Sequence, residues 1–190
     1  MVLKFITSNE HKFEEVRVIA KKYSLEIEQE DVPYVEIQSD DLREIVKPGA
    51  QQAHKMSNSP CFVEDSGLFI DSLNGFPGPY SSYVFRTLGN KGILKLMNDR
   101  SDRRAEFKSA IGYCGDSELR VFEGKVKGTI AEEKRGSEGF GYDPIFIPDK
   151  AAGGTFAEIS MEMKNSLSHR GSAIERFVKW YSKNKKAEGG

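Results

Sequence analysis

"CFVEDSGLFI" (residues 61–70) opens like a buried strand, with Cys61, Phe62 and Val63 in succession, and then sets Glu64 and Asp65 side by side where apolar packing should continue. Two neighbouring carboxylates repel each other and lose hydration when buried. The arrangement therefore calls for a cation, a donor network or a ligand. The reading is a central strand whose end carries the two carboxylates, at the position where open α/β sheets keep their ligand sites. A plain turn before Ser66 and Gly67 would use the same residues.

The surrounding segments agree with such a sheet. "VLKFIT" (2–7) reads as a strand, and "NEHKFEEVRVIAKKY" (9–23) as a helix with Phe13, Val16, Ile19 and Ala20 at helical spacing and Asn9 as its cap. "LEIEQEDVPYVEIQ" (25–38) alternates as a strand, breaks at Pro33 and resumes around Glu36. "DDLREIVKPGAQQAHKMS" (40–57) is helical, with a kink or split expected at Pro48 and Gly49. Further on lie the Gly- and Pro-rich loop 73–82, a helical segment 91–99, and two alternating runs, 103–115 and 118–131, spaced as a hairpin. A glycine-rich loop (134–144), the strand "IFIP" and a helix from about Ser168 to Lys183 complete the chain, with "AEGG" (187–190) as a frayed tail. Early helix and strand alternation followed by a long hairpin predicts an α/β fold, a mixed sheet flanked by helices, in a single domain spanning 1–190.

Composition narrows the function. With 28 basic and 29 acidic residues among 190, the net charge of −1 offers no general attraction to nucleic acid or anionic membrane. The start is too short in apolar residues for a signal peptide, and no run has membrane-spanning length, so a cytoplasmic protein is expected. Cys61 and Cys114 lie in strand-like runs, as free buried thiols without a chemical role. An RNA-binding module is disfavoured, because no basic aromatic stripe is present.

Polar residues gather at the ends of elements. In "TSNEHK" (7–12) the hydroxyls of Thr7 and Ser8, the amide of Asn9, the free N–H groups of the first helical turn and Lys12 can converge on one anion, although Asn9 serves equally as a simple cap. Glu36, Glu64 and Asp65 could meet in the same crevice. Magnesium takes one or two carboxylates and fills its remaining positions with water and substrate phosphates. "GFGYDP" (139–144) offers flexible backbone, aromatic faces and a carboxylate, and "KNSLSHR" (164–170) places Lys164, His169 and Arg170 around a helix start, a trio usually solvated.

Taken in order, "TSN..K..E", Glu36, "VEDSG", "NGFPGPYS", "GFGYDP" and "SHR" resemble the inosine triphosphate pyrophosphatase family, also called Ham1-like, over nearly the whole chain. The resemblance implies an elongated structure of two lobes with the active site in the cleft between them, and a homodimer. It implies that Thr7, Ser8, Asn9, Glu10, His11 and Lys12 hold the triphosphate, with Glu10 and His11 contributing main chain. Glu36 and Asp65 would bind Mg2+, Asp65 and Lys12 would be catalytic, and Ser66 would adjoin the substrate. Phe140, Gly141, Tyr142, Asp143, Lys164, His169 and Arg170 would surround base and sugar. Some relatives carry a lysine after "GPY", where this chain has Ser81, Ser82 and Tyr83.

The implied reaction is hydrolysis of inosine, deoxyinosine or xanthosine triphosphate to the monophosphate and pyrophosphate, cleansing the nucleotide pool. A Maf-like nucleotide pyrophosphatase with a different base preference and a nucleotide-binding sensor without turnover are the competing readings. The expected partner is a nucleoside triphosphate, with neither nucleic acid nor membrane.

Overall fold

A computed structural model describes residues 2–188, with side chains through 184. Strand β1 (Leu3–Ile6) leads through a tight turn into helix α1 (Glu10–Lys21), and β2 (Ile27–Glu30) follows in parallel with β1. Helix α2 (Leu42–Ser57) then crosses to β3 (Cys61–Ile70), which is parallel to β1 and lies on its other side. The hairpin of β5 (Arg104–Cys114) and β6 (Leu119–Ile130) continues the sheet, after a short β4 (Pro77–Gly78) and helices α3 (Ser81–Thr87) and α4 (Gly89–Leu96). The chain ends with β7 (Phe146–Pro148), α5 (Met161–Leu167) and α6 (His169–Glu188). The seven-stranded mixed sheet has the order β2-β1-β3-β5-β6-β7, with β4 beside β3.

Three apolar clusters hold these layers. On one face α1 and α6 bury Val16, Ile19, Ile174, Phe177, Val178 and Tyr181 against Phe5 and Phe62. On the other, α2 presses Leu42, Ile45, Val46, Ala50 and Ala53 onto Ile6, Val63 and Ala110. A third cluster joins the far half of β3 to α3, α4 and β7 through Leu68, Ile70, Val84, Ile93 and Phe146. Cys61 and Cys114 are free, buried and opposite each other in the β3/β5 ladder.

Three expectations from the sequence need correction. Helix α2 runs unbroken through Pro48. The missing proline N–H removes one helical bond, while the absent side chain at Gly49 lets the Tyr34 ring close on the helix: a Cβ there would lie 2.9 Å from the ring. The strand does not resume at Glu36, since residues 31–39 form no ladder and the Val35 N–H donates instead to Gln52 Oε1 at 3.2 Å. Finally, β3 continues to Ile70, so Glu64 and Asp65 lie inside the strand and not after it. Helix α6 includes Ala187 and Glu188 of the expected tail, and Gly189 and Gly190 lie outside the described residues.

Candidate active site

The geometry of β3 explains the cavity. Its whole length pairs with β5, but on the opposite edge β1 reaches only Cys61 and Phe62, and β4 only Leu68 and Phe69. Between them the backbone of residues 63–67 has no partner strand. The side chains of Lys12 and Ser81, and that of Asp65 in β3 itself, take its place. Lys12 Nζ donates to the Glu64 carbonyl at 3.3 Å, the Ser66 N–H donates to Asp65 Oδ1 at 2.8 Å, and the Leu68 N–H donates to Ser81 Oγ at 2.8 Å. A cavity of about 680 Å3 opens at this gap.

Every side chain expected at the site lines that cavity except Glu10. The wiring of the turn after β1 is local: Thr7 Oγ1 accepts the Asn9 N–H at 3.1 Å, and Asn9 Oδ1 accepts the Lys12 N–H at 3.1 Å. Asn9 is thus the N-cap, and the N–H groups of Glu10 and His11 remain the open donors of the first turn. Glu10 does not line the cavity, yet its backbone belongs to this turn.

Alternation along β3 separates the two carboxylates, because successive side chains of a strand point to opposite faces. Glu64 points to the α1/α6 side, where Lys12 Nζ lies 2.8 Å from Oε2 and Arg170 Nε donates to Oε1 at 3.1 Å. Ser109 adds a hydrogen bond of 2.6 Å. Burial alone would raise the Glu64 carboxyl, but Arg170 and Lys12 hold it well below the usual range. Glu36, Glu64 and Asp65 all line the cavity, as drawn from the sequence, but Lys12 and Arg170 already engage Glu64 and set it apart from the other two.

Asp65 is the opposite case. Burial, only partly offset by Lys12 and reinforced by Glu64 and Glu36, pushes its carboxyl up to about 6. Tyr34 Oη lies 3.5 Å from Oε1 of the second carboxylate, Glu36. Negative charge without a full counter-charge fits a divalent cation held by Glu36 and Asp65. Among the described residues no group of three or more His, Cys, Asp or Glu side chains is placed to ligate a metal. A magnesium-type ion would take only these two carboxylates from the protein and draw its other oxygens from water and phosphate.

The far wall holds a network that sequence reasoning missed. Glu15, 3 % exposed, receives Lys164 on one oxygen and Arg170 on the other, each at 2.5 Å. Lys164 also donates to Asp143 Oδ2 at 2.6 Å, and Arg170 to Ser66 Oγ at 2.9 Å. Lys12, Lys164 and Arg170 are thus matched by Glu15, Glu64 and Asp143. The trio of "KNSLSHR" expected to be solvated is buried: Lys164, His169 and Arg170 are each 3 % exposed. A signal for Glu15 existed, since it shares the stripe of Val16, Ile19 and Ala20 that α1 buries. His169 is fully enclosed, stacks on Phe107 at 4.6 Å and is held neutral by burial and by Arg170. Among the described residues its buried Nδ1 has no hydrogen-bond partner.

Phe140, Gly141, Tyr142 and Asp143 form one tight loop. Asp143 Oδ2 accepts the Phe140 N–H at 2.7 Å, Asn90 Nδ2 donates to the Gly141 carbonyl at 3.1 Å, and Tyr142 Oη donates to the Ser81 carbonyl at 3.0 Å. Ser81, Ser82 and Phe85 reach the cavity from α3, in the segment where the lysine of some relatives is absent.

The first turn of α1 with Lys12, the carboxylates of Glu36 and Asp65, and a buried set of donors thus share one cavity of a mixed α/β sheet. The chain belongs to the Ham1 family, whose profile matches residues 3–180. It is 51% identical over 185 residues to a dITP/XTP pyrophosphatase of Methanopyrus kandleri, covering 97% of this chain and 98% of that one. It is 48% identical to a dITP/XTP pyrophosphatase of Thermococcus kodakarensis, covering 98% and 100%. Among solved structures, the Staphylococcus aureus Ham1 protein superposes with a TM-score of 0.83 at 31% identity, covering 97% of this chain and 100% of that one.

Proposed function

We infer that the chain hydrolyses non-standard purine nucleoside triphosphates, those of inosine, deoxyinosine and xanthosine, to the monophosphate and pyrophosphate. The observation that carries this reading is the convergence, on one cavity, of Lys12 with the α1 N-terminus, of Glu36 with Asp65, and of the buried Lys164, His169 and Arg170. The relatives named dITP/XTP pyrophosphatase support it.

In this reading the first turn of α1 and Lys12 receive the triphosphate. Lys12, tied to Glu64, has one N–H left to hold the pyrophosphate as it leaves. Glu36 and Asp65 would hold Mg2+, which supplies neutralisation of phosphate charge. Asp65 orients the attacking water, and the base end is read by the remaining donors of Lys164 and Arg170, with Phe140 and Tyr142 as aromatic walls.

The same proposal takes residues 1–190 as one domain with the cavity as the cleft between two lobes. It also takes the protein as cytoplasmic, with reduced buried thiols. No helix among the described residues is long and apolar enough to cross a membrane. The exposed Tyr80 and Tyr83 support a homodimer through residues 73–85. A concentration-independent monomer mass in sedimentation would remove that part.

The test is a panel of nucleotides with pyrophosphate and orthophosphate detected separately, with and without magnesium. Pyrophosphate in many-fold excess over protein from inosine triphosphate is the expected result. Orthophosphate release, or at most one pyrophosphate per chain, would refute it.

A further inference from the structure

His11, expected to lend only its main chain, places its imidazole on Phe140. The two rings are nearly parallel, 13° apart, with centroids 5.1 Å from each other. We propose that this stack is a latch: His11 occupies the face of Phe140 that the planar base of the substrate needs, and the base must displace it. The proposal rests on the nucleotide reading above.

Three observations lead there. First, nothing fits between the rings, because two successive aromatic stacks at the shortest usual separation span about 9 Å between outer centroids. Second, the backbone of Phe140 is held in place, because its N–H donates to Asp143 Oδ2 and the following Gly141 carbonyl accepts from Asn90. Third, the other groups over its ring are fixed. Lys164 Nζ lies 4.7 Å and Arg170 Cζ 5.5 Å from the centroid, and each is tied into the buried carboxylate network.

His11 is the part that can leave. It is exposed, and among the described residues no hydrogen bond or ion pair holds its imidazole. It lies one helical turn before Glu15 on the same side of α1, so withdrawing its ring by a χ1 rotation leaves the Glu15 contacts to Lys164 and Arg170 in place.

A latch of this kind penalises every ligand that uses the Phe140 face by the same factor, the reciprocal of the fraction of molecules with the face open. An exposed aromatic pair of this geometry corresponds to a penalty of roughly two- to tenfold. A ligand without a base escapes it.

Inosine monophosphate and inorganic triphosphate are therefore the probes, titrated separately into wild type, His11→Ala and His11→Trp. The expected result is that His11→Ala binds the monophosphate roughly two- to tenfold more tightly, His11→Trp binds it more weakly, and inorganic triphosphate binds all three alike. Unchanged or weaker monophosphate binding in His11→Ala overturns the latch, as does an equal shift for inorganic triphosphate, which would place the effect in the first turn of α1. In NMR, the His11 ring protons of the free protein should lie upfield under the Phe140 ring current and move downfield as inosine monophosphate saturates the site. If they stay in place while the ligand binds, the latch fails and the nucleotide reading stands. If wild type binds no inosine monophosphate, the nucleotide reading fails and the latch falls with it.

Discussion

Glu64 and Asp65 are neighbours in β3, yet the strand sends them to opposite sides and into opposite electrostatic states. Glu64 is held ionised by Arg170 and Lys12, with Ser109 closing its last approach. Asp65 is buried with too little positive charge around it, and its carboxyl titrates near 6. One residue neutralises the cations of the site, and the other keeps a charge in reserve.

The first prediction concerns Asp65. An unfolded aspartate titrates near about 3.9, so the folded chain binds this proton more tightly. The associated stability is complete below about pH 4 and is lost as pH rises through about 6. Asp65→Asn keeps the shape without the charge. Metal-free, it should melt a few degrees above wild type at pH 8 and show no such advantage at pH 4. It should also lose at least about a hundredfold in kcat with magnesium present. Calorimetry in a chelator, paired with the pyrophosphate assay, reads both; a melting difference that ignores pH would contradict the assignment.

Glu15 joins the two base-end cations, so Glu15→Ala leaves Lys164 and Arg170 facing a buried gap. Breaking a buried pair in this way costs about 3 kcal/mol or more, which lowers Tm by about 10 °C in a chain of this size. The carboxyl of Glu15 is depressed: burial opposes ionisation, but Arg170 and Lys164 overcome it. Its contribution is present above the ordinary glutamate range and disappears as pH falls through the depressed value. The Tm gap between wild type and Glu15→Gln should therefore narrow on acidification, and a gap that widens would show that the carboxylate is not the stabilising form.

Gly49→Ala tests the link from α2 to the carboxylate pair proposed to hold magnesium. Its new methyl would meet the Tyr34 ring, whose hydroxyl touches Glu36. The expected outcome is a several-fold rise in the magnesium concentration for half-maximal rate, with kcat at saturating magnesium nearly unchanged. An unaltered magnesium titration would mean that Tyr34 does not position Glu36.

Arg170→Ala should lower kcat/KM for inosine triphosphate more than for adenosine triphosphate. The 6-oxo group of hypoxanthine accepts a hydrogen bond where the amino group of adenine donates one, and donor facing donor leaves buried groups unpaired. Because Arg170 also neutralises Glu15 and Glu64, the variant should melt well below wild type, so rates are compared at a temperature where circular dichroism shows it folded. Equal losses for the two nucleotides would assign Arg170 to the phosphates or the fold.

Much of this was legible in the residues. The hairpin of β5 and β6, the capped α1 and the apolar face of α6 follow from local periodicity and capping, which need no tertiary knowledge. The errors arose where distant partners decide. Pro48 and Gly49 looked like a break because the packing of Tyr34 on α2 cannot be read locally. Glu64 looked like the end of a strand because its counter-ions, Lys12 and Arg170, are 52 and 106 positions away. Glu15 carried a readable sign, a charge within an apolar stripe, whereas the His11 stack depends on a loop at the other end of the chain.

The stretch of β3 left without a partner strand has a consequence beyond catalysis. An unpaired edge with free N–H and C=O groups is a template on which another chain can add a strand and begin to aggregate. Here Lys12, Asp65 and Ser81, from three different elements, occupy that template. The side chains that surround the ligand thus also guard the protein against self-association, so emptying the site by multiple truncation should show first as lost solubility on storage, before any assay of turnover is attempted.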